Sequence, residues 1–274
     1  MDGKRVLITG GNSGIGIITA QALAKQGAEV VLACRDSEKT AEALTVINAD
    51  AKVPAVNLPV ELANLQSIRD LAANFLDRYD RLDVLINNAG LFPPKQRMTD
   101  DGFEMQFGVN HLAPFLLTNL LLDCLKASAP SRIVTVSSML HKKGNIDFDA
   151  VRGYEKYNSQ DAYNASKLCN VLFAIELAQR LEGTGVTSNV LHPGAVATDI
   201  IRDLPWLLRK IIGFMFIAPE KGAKTNLMLA SDPSLEGVSG QYYDQCELAE
   251  YSSQGDDEAL RKQLWDLSEA LTAA

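Results

Sequence analysis

The chain has 274 residues, 47% of them hydrophobic, enough to bury a large core. Its 26 basic and 34 acidic residues leave a net charge of −8, which excludes a general affinity for nucleic acid or an anionic membrane surface. Cys34, Cys124, Cys169 and Cys246 are scattered without CxxC, and His111, His141 and His192 are equally dispersed, so neither a disulfide framework nor a metal site is expected.

The first half alternates short β-branched runs with amphipathic segments. Arg5 to Thr9, Glu29 to Ala33, Val53 to Leu58 and Asp83 to Asn87 read as strands, and Ile15 to Gln26, Ser37 to Asp50 and Asn64 to Tyr79 as the helices between them. Because a strand begins at Arg5, no signal peptide or N-terminal anchor is expected, and the protein is assigned to the reducing cytoplasm. Strands such as VLIT and VVLA are apolar throughout, as they are when helices cover both faces of a parallel sheet. A helix over Phe103 to Leu125, a strand over Arg132 to Ser137, a helix over Ala162 to Leu181 and a strand over Thr187 to Leu191 continue the pattern. A helix over Pro219 to Ala230, a short strand at Gly240 to Tyr243 and a helix over Asp256 to Leu271 close it. The expected fold is α/β: one doubly wound parallel sheet of Rossmann type, a single domain over 1–274 with no linker.

Directly after the first strand comes TGGNSGIG, Thr9 to Gly16, opening a helix. Gly10 allows a tight turn, Gly14 lets backbone approach a pyrophosphate, and Gly16 lets helix pack closely on strand. The helix N-terminus adds amide donors and a positive dipole end. The spacing G-x-x-x-G-x-G departs from the common G-x-G-x-x-G pattern, and the alternative is a strand-to-helix turn that binds nothing. Further along, YNASK places Tyr163 and Lys167 one helical turn apart on one face. Free tyrosine titrates near ~10, but a fixed positive charge nearby favours the phenolate and equips it to exchange protons with an alcohol or carbonyl oxygen.

TGGNSGIG, NNAG at Asn87 to Gly90, Asn110, Ser138 and YNASK together resemble the short-chain dehydrogenase/reductase superfamily, each in the order and setting the family requires, over essentially the whole chain. ACRD at Ala33 to Asp36, DGFEMQFGVNHLAPFLLTNLLL at Asp101 to Leu122, SAPSRIVTVSS at Ser128 to Ser138 and EGVSGQYYDQC at Glu236 to Cys246 are similar to its retinol dehydrogenase and WW-domain oxidoreductase branch. Several members of that branch carry a membrane anchor or extra modules, and retinoid chemistry does not follow from the likeness.

The resemblance implies an oxidoreductase that interconverts a carbonyl and an alcohol by hydride transfer. Tyr163 would be general acid for reduction and base for oxidation, Ser138 would hydrogen-bond the substrate oxygen, and Lys167 would lower the tyrosine pKa and bind the nicotinamide ribose. Asn110 would hold a relay water, or else serve as a helix-kink residue. Of the adjacent serines, the family pattern selects Ser138 over Ser137, while His111 and His192 read as structural.

For the cofactor, Gly10, Asn12, Ser13, Gly14, Ile15 and Gly16 form the phosphate turn. Cys34 falls where NAD-dependent members place an aspartate and Arg35 where many NADP-dependent members place a basic residue, which favours NADP over NAD. Arg35 could instead pair with Asp36 or Glu38. Leu62 contributes backbone beside Glu61, which stands where the branch has an adenine-contacting aspartate, and Asn88 and Ala89 follow the fourth strand. Asn87 either joins them or merely stabilises the sheet. Pro193 and Gly194 set a turn from which Val196 and Thr198 meet the carboxamide.

The loop between Ser138 and Tyr163 and the apolar segment Leu204 to Ala218, within a lid around 200–218, are expected to wall a pocket for a largely apolar substrate. Trp206, Leu207, Ile211, Phe214 and Met215 carry that expectation. The segment is too short and, with Arg209 and Lys210, too charged to span a bilayer. Its alternative reading is an oligomer interface or an ordinary core helix, and a peripheral membrane contact through it gains no help from the acidic net charge. The long helices after the fourth and fifth strands resemble those that pair subunits in the family, so a homo-oligomer is expected. A cofactor-sensing protein without turnover and a reductase of activated C=C bonds are the rival readings.

Overall fold

A computed structural model describes residues 1–194 and 219–273. Its chain order is β1 (Arg5–Thr9), α1 (Gly14–Lys25), β2 (Glu29–Cys34), α2 (Glu38–Asn48), β3 (Val56–Pro59), α3 (Leu65–Arg78) and β4 (Val84–Asn87). There follow α4 (Met105–Phe107), a π-turn (Gly108–Leu112), α5 (Ala113–Ala127), β5 (Ser131–Val136), α6 (Ser159–Arg180) and β6 (Val186–His192). After the undescribed stretch come α7 (Pro219–Ser231), β7 (Tyr242–Asp244), β8 (Glu247–Leu248) and α8 (Glu258–Thr272).

The strands lie in the order β3-β2-β1-β4-β5-β6-β7-β8, parallel except for β8, which runs antiparallel at the edge. That two-residue edge strand, with Gln245 and Cys246 at positive φ in its turn, carries no apolar run by which the sequence would reveal it. Alternation along the buried strands feeds two cores. Leu7, Val31, Leu85 and Ile133 face α3, α5 and α6, where Phe75, Phe115 and Phe173 pack. Val6, Ile8, Val30, Leu32, Ile86 and Val134 face α1, α2 and α7, meeting Leu23, Ile47 and Leu229.

Helices begin where side chains replace the missing backbone acceptors. Ser37 accepts from Thr40 N, Asn64 from Ser67 N, Asn158 from Gln160 N and Asp161 N, and Asp257 from Leu260 N. The expected helix over Phe103 to Leu125 is instead divided by the π-turn. Pro114 has no N–H to give the carbonyl of Asn110 four residues earlier, so the α-helical ladder cannot run unbroken there.

α6 is buried over the whole of 162–177. α8 of the same chain packs on α5 and α6, the two long helices that the resemblance links to subunit pairing. Trp265 packs edge-on to Phe115 at 5.0 Å and stacks with Phe173 at 6.0 Å, under the guanidinium of Arg180 at 4.1 Å. Among the described residues, no helix is long and apolar enough to cross a membrane.

Candidate active site

The chain winds from β1 outward to β3 and then returns to lay β4 beside β1, which opens a crevice at the carboxyl ends of those two strands. The glycine turn sits there. Gly10 and Gly14 adopt φ of 65° and 52°, a region open mainly to glycine. A Cβ on Gly16 would collide with the Gly10 carbonyl and with the Asn88 amide 2.8 Å away, so the helix could not approach the turn.

Thr9 Oγ1 accepts from the amides of Asn88 and Ala89, both at 3.0 Å, and the Asn88 side chain donates back to the Thr9 carbonyl at 2.9 Å. Asn226 of α7 donates to Asn88 Oδ1 at 3.4 Å. Asn88 therefore staples the crevice, with its amide turned to the strand end. Asn87 donates to Thr118 Oγ1 at 3.0 Å, tying sheet to α5. Asn12 is likewise turned inward, donating to Thr40 Oγ1 at 2.9 Å, and Thr40 in turn donates to the Arg35 carbonyl at 2.7 Å. Ile15 packs against Ala223 of α7, which leaves its amide, not its side chain, at the helix opening. Ser13 occupies the N-cap of α1 without using its side chain there, and the first turn holds no acid.

An uncapped helix N-terminus, glycines at positive φ and a crevice kept narrow by Gly16 fit a pyrophosphate-bearing dinucleotide. At the end of β2 the thiol of Cys34 is buried and pushed up to about 11 by that burial, against the amides of Asn12, Gly11 and Gly10, so it presents no negative charge. Arg35 is two-thirds exposed and meets Glu61 at 3.8 Å, rather than Asp36 or Glu38. Leu62 packs partly on the core beside it.

Across the same sheet edge, Ser138 follows β5, and Tyr163 and Lys167 rise on α6. Ser137 turns away from them, donating to the Lys167 carbonyl at 2.7 Å. Ser138 caps the turn that follows, accepting from Leu140 N at 3.2 Å, and its hydroxyl reaches the Tyr163 phenol. Burial pushes that phenol up to about 12, partly offset by Ser138. Lys167 is not among the causes that act on this phenol in the cofactor-free chain. The ammonium lies 5.6 Å from the ring centroid and donates to the Val136 carbonyl at 3.1 Å, and its own burial pulls it down to about 8. Gly90 keeps the space in front of this ammonium open, since a Cβ there would stand 3.2 Å from Nζ.

Asn110 lies in the π-turn, fully buried. Its Oδ1 accepts from Leu91 N at 2.9 Å, and its Nδ2 donates to Leu91 O at 3.1 Å and Ser166 Oγ at 3.0 Å. The side chain is thereby spent on the loop after NNAG and on α6. The next residue, His111, binds Ser268 Oγ at 2.8 Å and is held neutral by burial, down to about 3. His192 ends β6 beside Asp244 of β7, its proton affinity lowered by burial. Phe92 meets the Tyr163 ring edge-on at 5.1 Å, and Met139 stands exposed next to Ser138, so the phenol is flanked by apolar surface.

Pro193 and Gly194 end the described segment after β6, Gly194 with φ of 86°. Val196, Thr198 and the proposed lid around 200–218 lie outside the described residues. Thr9, Thr40 and Asn226 also staple the crevice, which their place in the sequence does not reveal. Their work is done on backbone and on other side chains, and no spacing of charged or nucleophilic residues announces it.

Residues 4–205 match the pattern of the family described as short chain dehydrogenase. The chain is 46% identical to retinol dehydrogenase 14 of Homo sapiens, over 99% of this chain and 87% of that protein. It is 45% identical to human retinol dehydrogenase 13, over 96% of this chain and 82% of that one. Among solved structures, an uncharacterized protein from Mycobacterium Paratuberculosis shares the fold with a TM-score of 0.78 at 33% identity, covering 99% of this chain and 94% of that chain.

Proposed function

Since this chain belongs to the short-chain dehydrogenase/reductase family, in its retinol dehydrogenase branch, and is an oxidoreductase of carbonyls and alcohols, we propose that it works with NADP on a largely apolar aldehyde or ketone, with Tyr163 as proton donor. The observation that carries this reading is the buried cluster of Tyr163, Ser138 and Lys167 facing an uncapped glycine turn across one sheet edge.

The nicotinamide supplies the hydride when bound. Amides at the N-terminus of α1, from Gly14 to Gly16, would hold the pyrophosphate, and Pro193, Gly194, Val196 and Thr198 would line the nicotinamide end. Arg35 would bind the 2′-phosphate, unopposed by Cys34. At neutral pH the phenol of Tyr163 is protonated, which suits it to deliver a proton to the oxygen of a carbonyl undergoing reduction. Ser138 steadies that oxygen with its hydroxyl. Lys167, facing the gap left open by Gly90, is placed to hold the ribose and to stabilise charge on the phenol once its proton has left. The carbonyl of Asn110, which Pro114 cannot serve, is the group we assign to a relay water, because its side-chain amide is already engaged. Phe92 and Met139 would contact the substrate chain. The names of the relatives make retinaldehyde the first compound to test, with nonanal as a simpler apolar aldehyde. We place the protein in a reducing compartment, where its four free thiols persist.

The test is to titrate NADPH and NADH by fluorescence, then follow NADPH absorbance against retinaldehyde, nonanal, quinones and enones. Tyr163→Phe should lower carbonyl turnover by about 10²–10⁴-fold while leaving NADPH affinity unchanged. Full activity in that variant would remove Tyr163 from the chemistry. Tight NADPH binding with no turnover across the panel would replace the enzyme by a cofactor sensor. Turnover confined to enones would redirect the reading to C=C reduction.

A further inference from the structure

His141 is a fully buried polar side chain that the mechanism above does not use. Both ring nitrogens are engaged. Nδ1 lies 2.6 Å from the carbonyl oxygen of Ser138, and Nε2 lies 3.0 Å from the backbone amide of Ser252. An amide can only donate, so Nε2 must be bare, and the single proton of a neutral imidazole then sits on Nδ1 and is donated to Ser138. One tautomer satisfies both partners; the imidazolium would set an N–H against an N–H.

We infer that His141 is a positioning residue for Ser138, fixing the serine through its carbonyl and anchoring it to the turn at Ser252. The inference rests on the role given to Ser138 above.

The surrounding geometry makes this a rigid mount. The backbone amide of His141 reaches the same Ser138 carbonyl at 3.0 Å, so one oxygen receives two donors from one residue. Gly144 closes the turn against α6 so tightly that a Cβ would stand 2.6 Å from the Asn164 carbonyl and 2.8 Å from Leu168 Cβ. Gln254 donates to the Gly144 carbonyl at 3.0 Å, a second tie between the same two segments. The turn at Ser253–Asp256 is in turn held to α6 by Arg261, which donates to the Gly255 carbonyl at 2.5 Å and to Glu176 at 3.4 Å. Ser138 is therefore braced from the C-terminal segment, against the helix that carries Tyr163. The ring of Tyr242 packs on the imidazole at 4.9 Å and excludes water from it.

The experiment compares His141→Leu, His141→Gln, Ser138→Ala and the double variant His141→Leu/Ser138→Ala in the full chain. NADPH oxidation is followed with whichever of retinaldehyde and nonanal turns over faster. A catalytic group displaced by about 1 Å loses on the order of 10²-fold in rate, and that fall in kcat is expected for His141→Leu, with KM and NADPH affinity held. His141→Gln offers an amide N–H to Ser138 and an oxygen to Ser252, and should recover most of the loss. If His141 acts through Ser138, the double variant is no slower than Ser138→Ala alone. Ser252→Pro removes the donor to Nε2 at a residue whose φ of −60° the ring accepts, and should lower kcat in the same direction even where His141→Leu fails to fold.

Wild-type kcat in both His141→Leu and Ser252→Pro overturns the inference, as do equal losses in His141→Leu and His141→Gln, or losses that multiply in the double variant. Full turnover in Ser138→Ala would instead overturn the role of Ser138, and a loss in His141→Leu would then run by another route. Amide hydrogen exchange reports independently of turnover: in His141→Leu, protection should fall over both 138–144 and 252–256, and unchanged protection counts against the mount.

Discussion

Lys167 is an ammonium buried to 2% exposure whose one hydrogen bond among the described residues is to a neutral carbonyl. Burying such a charge without a carboxylate disfavours the folded state, and a fold tolerates it where function needs it. Lys167→Met, of similar length and uncharged, is therefore expected to stabilise the cofactor-free protein at pH 7 by on the order of 1 kcal/mol or more while abolishing turnover. The pH dependence has a definite sign. Lys167 falls to about 8 in the folded chain from an ordinary 10.5. Below the lower value both folded and unfolded chains carry the proton, and the penalty is present in full. Between the two values the unfolded chain binds more protons, so the wild type gains stability as pH rises and the advantage of Lys167→Met shrinks. Urea midpoints at pH 7 and pH 9.5 measure this, and a variant less stable than wild type at pH 7 would refute it. Arg35 and Glu61 form a second residue-scale pair, exposed and loose at 3.8 Å. Arg35→Ala should weaken NADPH by roughly 10–100-fold with little effect on NADH, the range of a lost charge-assisted hydrogen bond. Glu61→Gln should strengthen NADPH modestly by removing a like charge. Equal effects on the two cofactors in titration would mean that the 2′-phosphate binds elsewhere.

At the scale of elements, the π-turn over Gly108–Leu112 shapes the site as much as any side chain does. It brings Asn110 against Leu91 and Ser166 and so joins the NNAG loop to α6. Pro114→Ala would restore an N–H to the Asn110 carbonyl and let α5 extend backward as an ordinary helix. Thermal stability should hold or rise, while kcat falls by about tenfold or more as the clamp on Leu91 shifts; unaltered kcat would show that the turn is incidental. The strands and most helices could be read from sequence because a parallel sheet buried on both faces writes itself as apolar runs. The convergence of Tyr163, Lys167 and Ser138 on one sheet edge could be read because they occur in that order and setting. The π-turn was legible only as the helix-kink alternative at Asn110, since hydrophobic period continues straight through it and the missing N–H of Pro114 is its other mark. His141 could not be read: its partners are a carbonyl three residues away and an amide 111 residues away, and backbone groups leave no trace in residue identity. The burial that pushes Tyr163 up and Lys167 down belongs to the packed whole, and a charge argument confined to one helix turn does not contain it.

For the whole molecule, the decisive arrangement is α8 laid across α5 and α6. Trp265 fills the notch between Phe115 and Phe173, Arg261 meets Glu176 in the interior, and Ser268 reaches His111 one residue from Asn110. Docked α8 covers α5 and α6 around Phe115 and Phe173. Trp265→Ala removes the largest contact of that helix and is expected to cost about 3–5 kcal/mol of stability. It should also loosen α8 enough to uncover the long face of α6, all of whose residues from 162 to 177 are buried. Such a face seeks a partner, so sedimentation velocity should detect self-association in Trp265→Ala beyond that of wild type at the same concentration. If instead wild type pairs through α5 and α6 in solution, the same substitution would dissociate it, and a fall in sedimentation coefficient would show that α8 yields its place to a second chain.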